Sequence, residues 1–449
     1  MQIHSKAQPA TDKANYQGTI LINPGGPGGS GTQLVQFDGA ALSQLFGPTF
    51  DVLGFDPRGT GASTPLAQCF PSPEESDVWA LTDVKVPRVH DESIPLAQAK
   101  DDLLGELCSR ALGGNGKEDV GPNVTAEEWG IGRFMDTATV ATDMLHIVEK
   151  MGQDKLKYYG ISYGTALGQY FAALYPDRIG RMVLDGVAEG QNWQRGDVVD
   201  AVLDADRPTA NAVAARVDRI LWGLKQDPIA LPDSVSGPTV LAIDDVLSVI
   251  FIALYSPLDG FPLLSLGFRA IETRNKFLLS QVSLFNPSTG LPPWLQENQA
   301  LAAVGCSDFP PLNRSIAEDI ATVREGTAVS RWGGAFAFSR ARITCGAWRV
   351  RAKRRYTGPV SSANVTVGTL AISNTIDPVT PLKGAQAVVP RFKGMRLLLQ
   401  NTVGHSAIGS LSSCVAQAVR IYFTTGVLPA EGTVCQPDVV PLVGQPPSS

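Results

Sequence analysis

The chain has 449 residues, 44% of them hydrophobic and 18% charged, which is ordinary globular composition with room for one large elaborated domain or two to three small ones. A net charge of -6 and a pI near 5.4 argue against a nucleic-acid or anionic-membrane partner. The longest apolar run, Val246 to Tyr255, is too short to span a bilayer.

Taken in order, residues 1 to 17 are polar, with at most a fragment of a strand near Met1 to Ala10. Gly18 to Asn23 reads as a short buried strand and runs into Pro24-Gly-Gly-Pro-Gly-Gly-Ser-Gly31. Glycines at that density let the backbone turn tightly and leave N–H groups facing a cavity. The loop lacks the Lys-Ser/Thr ending of a phosphate loop and the spacing of a dinucleotide fold, so an oxyanion loop is the better reading and no cofactor is expected. Phe50 to Phe55 is the next strand, ending in Asp56-Pro-Arg-Gly-Thr-Gly, where Arg58 braces loops. Residues 64 to 130 read as a surface excursion with one helix near Leu96 to Leu107. Asp136 to Met151 has helical apolar spacing, with His146 on its surface.

Gly160-Ile-Ser162-Tyr-Gly164 follows a strand-like run, Leu156 to Tyr159, and precedes a helical run, Thr165 to Leu174. A serine on such a strand-to-helix turn is exposed on a sharp bend, as a nucleophile must be. Ile179 to Gly186 is a further strand. Strands alternating with helices imply a mainly parallel sheet with helices on both faces. From about 191 to 355 helical runs dominate, at Val198 to Leu224, Ile243 to Tyr255, Ala300 to Val304 and Ile316 to Ala328. Breaks are expected at Pro257 to Leu263 and Asn286 to Pro293, and the closing basic run, Arg349 to Arg355, reads as solvated surface. The sheet pattern returns with Val367 to Ser373, which leads to Asp377-Pro-Val-Thr-Pro, and Arg396 to Gln400, which leads to Gly404-His405; a last helix covers Ser412 to Phe423. The domain expectation is therefore an α/β sheet core over 1–190, a helical cap over 191–355 and the rest of the core over 356–449.

A serine nucleophile requires a base, and the base an acid that fixes its tautomer. Of four histidines, His405 alone sits in a loop just after a strand; His4 lies in the polar N-terminus and His90 in an acidic loop. Asp377 also sits just past a strand, and the order Ser162, Asp377, His405 is that of an α/β-hydrolase. Asp185, after the strand that follows the nucleophile helix, competes for the acid; the rigid Asp-Pro-Val-Thr-Pro turn favours Asp377.

The segments Pro24–Gly31, Asp56-Pro-Arg-Gly-Thr-Gly, Gly160-Ile-Ser-Tyr-Gly-Thr and Leu184-Asp-Gly resemble the proline-iminopeptidase and tripeptidyl-aminopeptidase group of α/β-hydrolases. Asp377-Pro-Val-Thr-Pro-Leu, Gly404-His405, Ser413-Cys414, Gly426-Val-Leu-Pro and Gly432-Thr-Val-Cys435 resemble its distinctive C-terminal region. The resemblance implies a secreted serine exopeptidase, with esterases among its relatives. It also implies a Ser162–Asp377–His405 triad and oxyanion donors from the Gly26 and Tyr163 N–H groups. Glu189, near the crevice, is the candidate for gripping a substrate's free amine, with a solvated loop glutamate as the plainer reading. The expected substrate is a small peptide, with an ester, lactone or thioester as the alternative; a catalytically silent binding protein is the reading from another class.

Six cysteines, none in a C-x-x-C pair, argue against a metal site and suit disulfides in an oxidising compartment. Cys414–Cys435 looks like a family disulfide, and proximity suggests Cys69–Cys108 and Cys306–Cys345. Three N-x-S/T sequons, at Asn123, Asn313 and Asn364, fit a secreted glycoprotein. Met1 to Lys6 carries no apolar leader, so the expectation is a mature or truncated secreted form, or else a cytoplasmic protein with free thiols.

Overall fold

The computed structural model describes residues 2–84, 86–89, 91–114, 130–196, 211–234, 237–281, 298–312, 315–330, 332–334, 340–410 and 412–442. An eight-stranded sheet forms its centre. Its strands are β1 (Ser5–Gln8), β2 (Thr19–Asn23), β3 (Asp51–Phe55), β4 (Leu156–Ile161), β5 (Ile179–Asp185), β8 (Leu370–Ile376), β9 (Arg396–Val403) and β10 (Val434–Cys435), in the order β1-β3-β2-β4-β5-β8-β9-β10. β1 alone runs antiparallel, along β3; the other pairs are parallel. The central strands are apolar on both faces, as a sheet covered twice requires: all five residues of β2 are buried.

On one face, α1 (Gly31–Phe46) and α15 (Ser413–Thr425), the helix after α14 (Leu382–Val388), bury Leu34, Leu42, Phe46, Val419 and Phe423 against Ile20, Val52 and Tyr159. On the other, α4 (Thr137–Lys150) and α5 (Tyr163–Leu174) cover Leu21, Tyr158 and Leu184. The chain moves from β2 outward to β3 and then back past β2 to β4. The loops after β2 and β4 therefore flank a switch in strand order, the place where such sheets open a crevice.

Between β5 and β8 lie α6 (Gly190–Arg195), α7 (Asn211–Gln226), the hairpin β6 (Ile229–Leu231) and β7 (Thr239–Leu241), α8 (Ile243–Tyr255), α9 (Pro257–Glu272), α10 (Lys276–Gln281), α11 (Asn298–Asp308), α12 (Ile316–Val329) and α13 (Arg340–Ala347). Most of the first half has a core of its own, with Leu224, Leu231, Val246 and Leu279 buried together. In the second half, Ala303 and Cys306 of α11 and Trp348 after α13 join the core of the sheet face.

Several expectations need correction. Pro257 to Leu263 is not a break. Pro257 starts α9 at its first position, where a missing N–H costs nothing, and Gly260 lets the helix lie against Ala253 of α8. Among its described residues, the excursion over 64–130 holds two helices, Pro73–Leu81 (α2) and Ser93–Leu112 (α3), where one was expected. It is also packed: Ile94 and Ala97 of α3 are buried with Val323 and Ile343 of the inserted helices, and a side chain at Gly105 would collide with Ala347. Of the helix expected over Val198 to Leu224, the described part is helical from Asn211; residues 197 to 210 and the expected break over 286–293 lie outside the described residues.

Candidate active site

The turn between β4 and α5 holds Ser162 at φ 56°, ψ -124°. Both motif glycines are required by close approach: a Cβ at Gly160 would meet the Gly164 carbonyl at 2.4 Å, and one at Gly164 would meet the Asn23 carbonyl at 2.7 Å. The Ser162 N–H donates to the Asp185 carbonyl (2.9 Å), and the Ser162 carbonyl accepts from the Thr165 N–H (2.8 Å).

The glycine loop after β2 lies against this turn. A Cβ at Gly25 would stand 2.5 Å from the Ile161 carbonyl, 2.9 Å from Ser162 Cβ and 3.0 Å from the Tyr163 nitrogen. Gly26 follows at φ 107°, and Tyr163 is the first residue of α5, whose N–H has no partner within the helix. Asp56 holds the far end of the loop. Its buried carboxylate accepts from Ser30 Oγ (2.7 Å), the Thr32 N–H (3.0 Å), Thr32 Oγ1 (2.8 Å) and the Ala62 N–H (2.8 Å). Arg58 braces as expected, through a two-pronged pair with Asp143 of α4 at 2.6 and 2.7 Å.

Across the crevice, Asp377 follows β8 and His405 follows β9. His405 Nδ1 lies 3.0 and 3.2 Å from the two Asp377 oxygens. The same carboxylate accepts from the N–H groups of Val379 (2.9 Å), Thr380 (2.8 Å) and Ser406 (2.9 Å) and from Thr380 Oγ1 (2.9 Å). Burial alone would raise the Asp377 pKa, but His405 and the Ser406 and Thr380 N–H groups outweigh it and hold the carboxyl below its ordinary value. With Nδ1–H donating to Asp377, Nε2 is left as the acceptor a general base needs. Nε2 is buried and has no hydrogen-bond partner among the described residues, Ser162 Oγ included. Asn374 Nδ2 donates to the carbonyls of Gly404 and Ser406, both at 2.8 Å, and so fixes the loop on either side of the imidazole.

Asp185 does not touch the imidazole. Its carboxylate accepts from the Ala407 N–H (2.7 Å), the Ile408 N–H (3.3 Å) and Tyr159 Oη (2.8 Å). Glu189 does not present a free carboxylate either: it is paired with Arg391 and accepts from Asn192 Nδ2 (2.7 Å), so it braces the start of α6. Of the basic run, Arg349 pairs with Glu106, but Arg355 is no solvated charge. It donates to the carbonyls of Asp308 (2.7 Å) and Gln194 (3.2 Å). His146 is exposed on α4, and His90 lies outside the described residues.

Two features carried no recognisable sequence pattern. Tyr255, at the end of α8, sets its ring edge-on to the His405 ring (centroids 4.9 Å apart), and its carbonyl accepts the His405 N–H (3.3 Å). Behind Tyr163, Asp308 of α11 accepts from the Thr137 N–H (2.9 Å), Thr137 Oγ1 and Trp193 Nε1 (2.8 Å), while Thr137 Oγ1 also bonds Tyr163 Oη. Burial, with Asp136 nearby, raises Asp308 to about 7. A period of 3.6 identifies such residues as helical; nothing in it says what they meet.

The strand order and the serine turn at its switch point define the class: the protein is a serine hydrolase of α/β-hydrolase fold. Residues 18–226 match the family model described as alpha/beta hydrolase fold, and residues 332–435 match that described as TAP-like protein. The two matches together place an α/β-hydrolase domain and a TAP-like C-terminal region in this one chain. It is 27% identical to the serine protease Hip1 of Mycobacterium tuberculosis, over 93% of this chain and 81% of the relative. It is 26% identical to the tripeptidyl aminopeptidase of Streptomyces lividans (96% and 79% covered), and 27% identical to carboxylesterase B of M. tuberculosis (94% and 80%).

Proposed function

We propose that this chain is a serine aminopeptidase that cleaves short peptides from a free N-terminus. The observation that carries the reading is the buried Asp377–His405 pair, on the loops after β8 and β9, at the same end of the parallel sheet as the strand-to-helix serine turn after β4. In this reading His405 Nε2 takes the Ser162 proton as Oγ attacks the scissile carbonyl. The Gly26 and Tyr163 N–H groups, with the N-terminus of α5 behind them, receive the oxyanion. The imidazolium returns its proton to the leaving amine, and His405 then activates the water that hydrolyses the acyl-enzyme. Residues 191–355 act as a cap that limits how far a peptide can enter, and the similarity to a tripeptidyl aminopeptidase supports a peptide substrate.

One observation favours an esterase as the second reading: Glu189, the expected amine anchor, is taken by Arg391, and a carboxylesterase is among the relatives. The three disulfides and the similarity to Hip1 support an oxidising, extracellular or envelope location. Of the three sequons, Asn364 alone is within the described residues; it is exposed and accessible to a glycosylating enzyme.

A fluorophosphonate probe is expected to label Ser162 and to leave Ser162→Ala unlabelled, with turnover down about 10⁶-fold. Labelling of another serine in that variant overturns the assignment. A peptide amide with a free and an acetylated N-terminus, beside short-chain esters, separates the two substrates. Preference for the free amine supports the aminopeptidase; equal rates with faster ester cleavage favour the esterase.

A further inference from the structure

Asp185 is fully buried at the end of β5, and the acyl-transfer chemistry above leaves it without a role. Its main chain and side chain point to different parts of the site. The carbonyl accepts the N–H of Ser162 (2.9 Å), while the carboxylate accepts two consecutive N–H groups of the histidine loop, Ala407 at 2.7 Å and Ile408 at 3.3 Å. One residue thus bonds to the backbone at the serine turn and to the backbone two and three residues past His405.

Both places need holding. Ser162 sits at φ 56° and Ser406 at φ 59°, ψ 162°, the latter in a region where glycine is almost the sole natural occupant. Such conformations persist where surrounding bonds over-determine them. Around Ser406 those bonds come from Asp377 (to the Ser406 N–H), from Asn374 (to the Gly404 and Ser406 carbonyls) and from Asp185 (to the next two N–H groups). Glycine at 186 allows the close fit, since a Cβ there would stand 3.0 Å from Ser406 Cβ and 3.1 Å from Thr380 Oγ1.

We propose that Asp185 is a positioning residue, a clamp that joins the serine turn to the His405 loop and sets the imidazole at the height from which it reaches Ser162. The proposal rests on Ser162 and His405 being nucleophile and base. The division of labour is then clear: Asp377 orients the ring through Nδ1, and Asp185 orients the backbone that carries the ring. Burial raises the Asp185 carboxyl to about 6, against the Ala407 N–H, the Tyr159 hydroxyl and His405, which lower it. Tyr159 from β4 and His405 from the loop after β9 are titratable groups that face it. Protonation removes an acceptor that the loop uses, so the clamp loosens as pH falls through the Asp185 value.

The test uses Asp185→Asn and Tyr159→Phe in the full chain, with Ser162→Ala as reference. Asp185→Asn keeps the shape but supplies a single acceptor oxygen. It is expected to lower kcat about 10–100-fold with KM nearly unchanged, the cost of a small misplacement of a catalytic group. It should slow fluorophosphonate labelling of Ser162 in parallel, and the acid limb of kcat/KM should become less steep. Tyr159→Phe keeps the carboxylate and removes a bond that favours its charged form, so its acid limb should move to higher pH. Wild-type kcat and an unchanged acid limb in a folded Asp185→Asn overturn the clamp. If that variant does not fold, an unmoved limb in Tyr159→Phe does so. Activity surviving in Ser162→Ala would instead overturn the nucleophile assignment, so the two failures are distinguishable.

Discussion

Energy is stored in the backbone at Ser162 and Ser406, about 1–3 kcal/mol at each. Strain of this kind clusters where side chains must be held at an angle that relaxed backbone would not give. At Asp377 the carboxylate receives four bonds besides that from His405, so it cannot swing away when the ring becomes charged. Asp377→Asn is therefore expected to lose on the order of 10³–10⁴ in kcat, because an amide at this position stabilises the wrong imidazole tautomer. Steady-state kinetics on an ester or peptide substrate decides it; a loss smaller than that of Asp185→Asn would exchange the two roles. At this scale much of the site was legible. Ser162, Asp377 and His405 each announce themselves by standing in a loop just past a strand-like run. Asp185 announces itself in the same way, and pattern alone could not say which aspartate meets the ring and which meets the loop. The pairing of Glu189 was not legible for a different cause: its partner, Arg391, lies 202 residues further along the chain.

Between elements, the inserted helices meet the site at two points among the described residues. The α8–α9 junction lies on the histidine loop, where Tyr255 faces the imidazole and a side chain at Gly404 would collide with Pro257. α11 reaches the other side through Asp308, which ties the start of α4 to Trp193 of α6 and, through Thr137, to Tyr163. A carboxyl raised from 3.8 to about 7 binds a proton in the folded chain that the unfolded chain has released. Its contribution to stability is therefore greatest at low pH and is lost as pH rises towards 7. Asp185 and Asp136, also raised by burial, act in the same direction. Asp308→Asn is expected to flatten the fall in unfolding free energy between pH 4 and 7, by up to about 1.4 kcal/mol per pH unit. Denaturant titrations across that range measure it, and parallel slopes for variant and wild type would rule it out. The helices themselves were legible from their spacing where they begin with a cap and run long. Pro257 to Leu263 was not, because a proline that opens a helix and one that ends it look alike without the neighbour that Gly260 packs against.

At the scale of the whole molecule, three disulfides each close a local loop, with partners 39, 39 and 21 residues apart: Cys69–Cys108 across the excursion, Cys306–Cys345 between α11 and α13, and Cys414–Cys435 between α15 and β10. Replacing Cys414 and Cys435 together by serine should cost about 2–4 kcal/mol, read from the shift in denaturant midpoint of oxidised protein. An unchanged midpoint would mean that α15 and β10 hold together without the bridge. The sheet also has a consequence in time. Ser162, the glycine loop and Asp185 all belong to the first five strands, whereas Asp377 and His405 belong to β8 and β9, which join β5 only after every helix of the insertion has been made. A ribosome releases Ser162, the proposed nucleophile, about 240 residues before His405, the proposed base. In the proposed mechanism, until the last strands dock, Asp185 has no loop to grip and Ser162 no proton acceptor, so the growing chain would carry no activated nucleophile. On that assignment the strand order gives the protection that other enzymes obtain from a removable inhibitory segment: the nascent chain would not attack its surroundings before its own fold is complete.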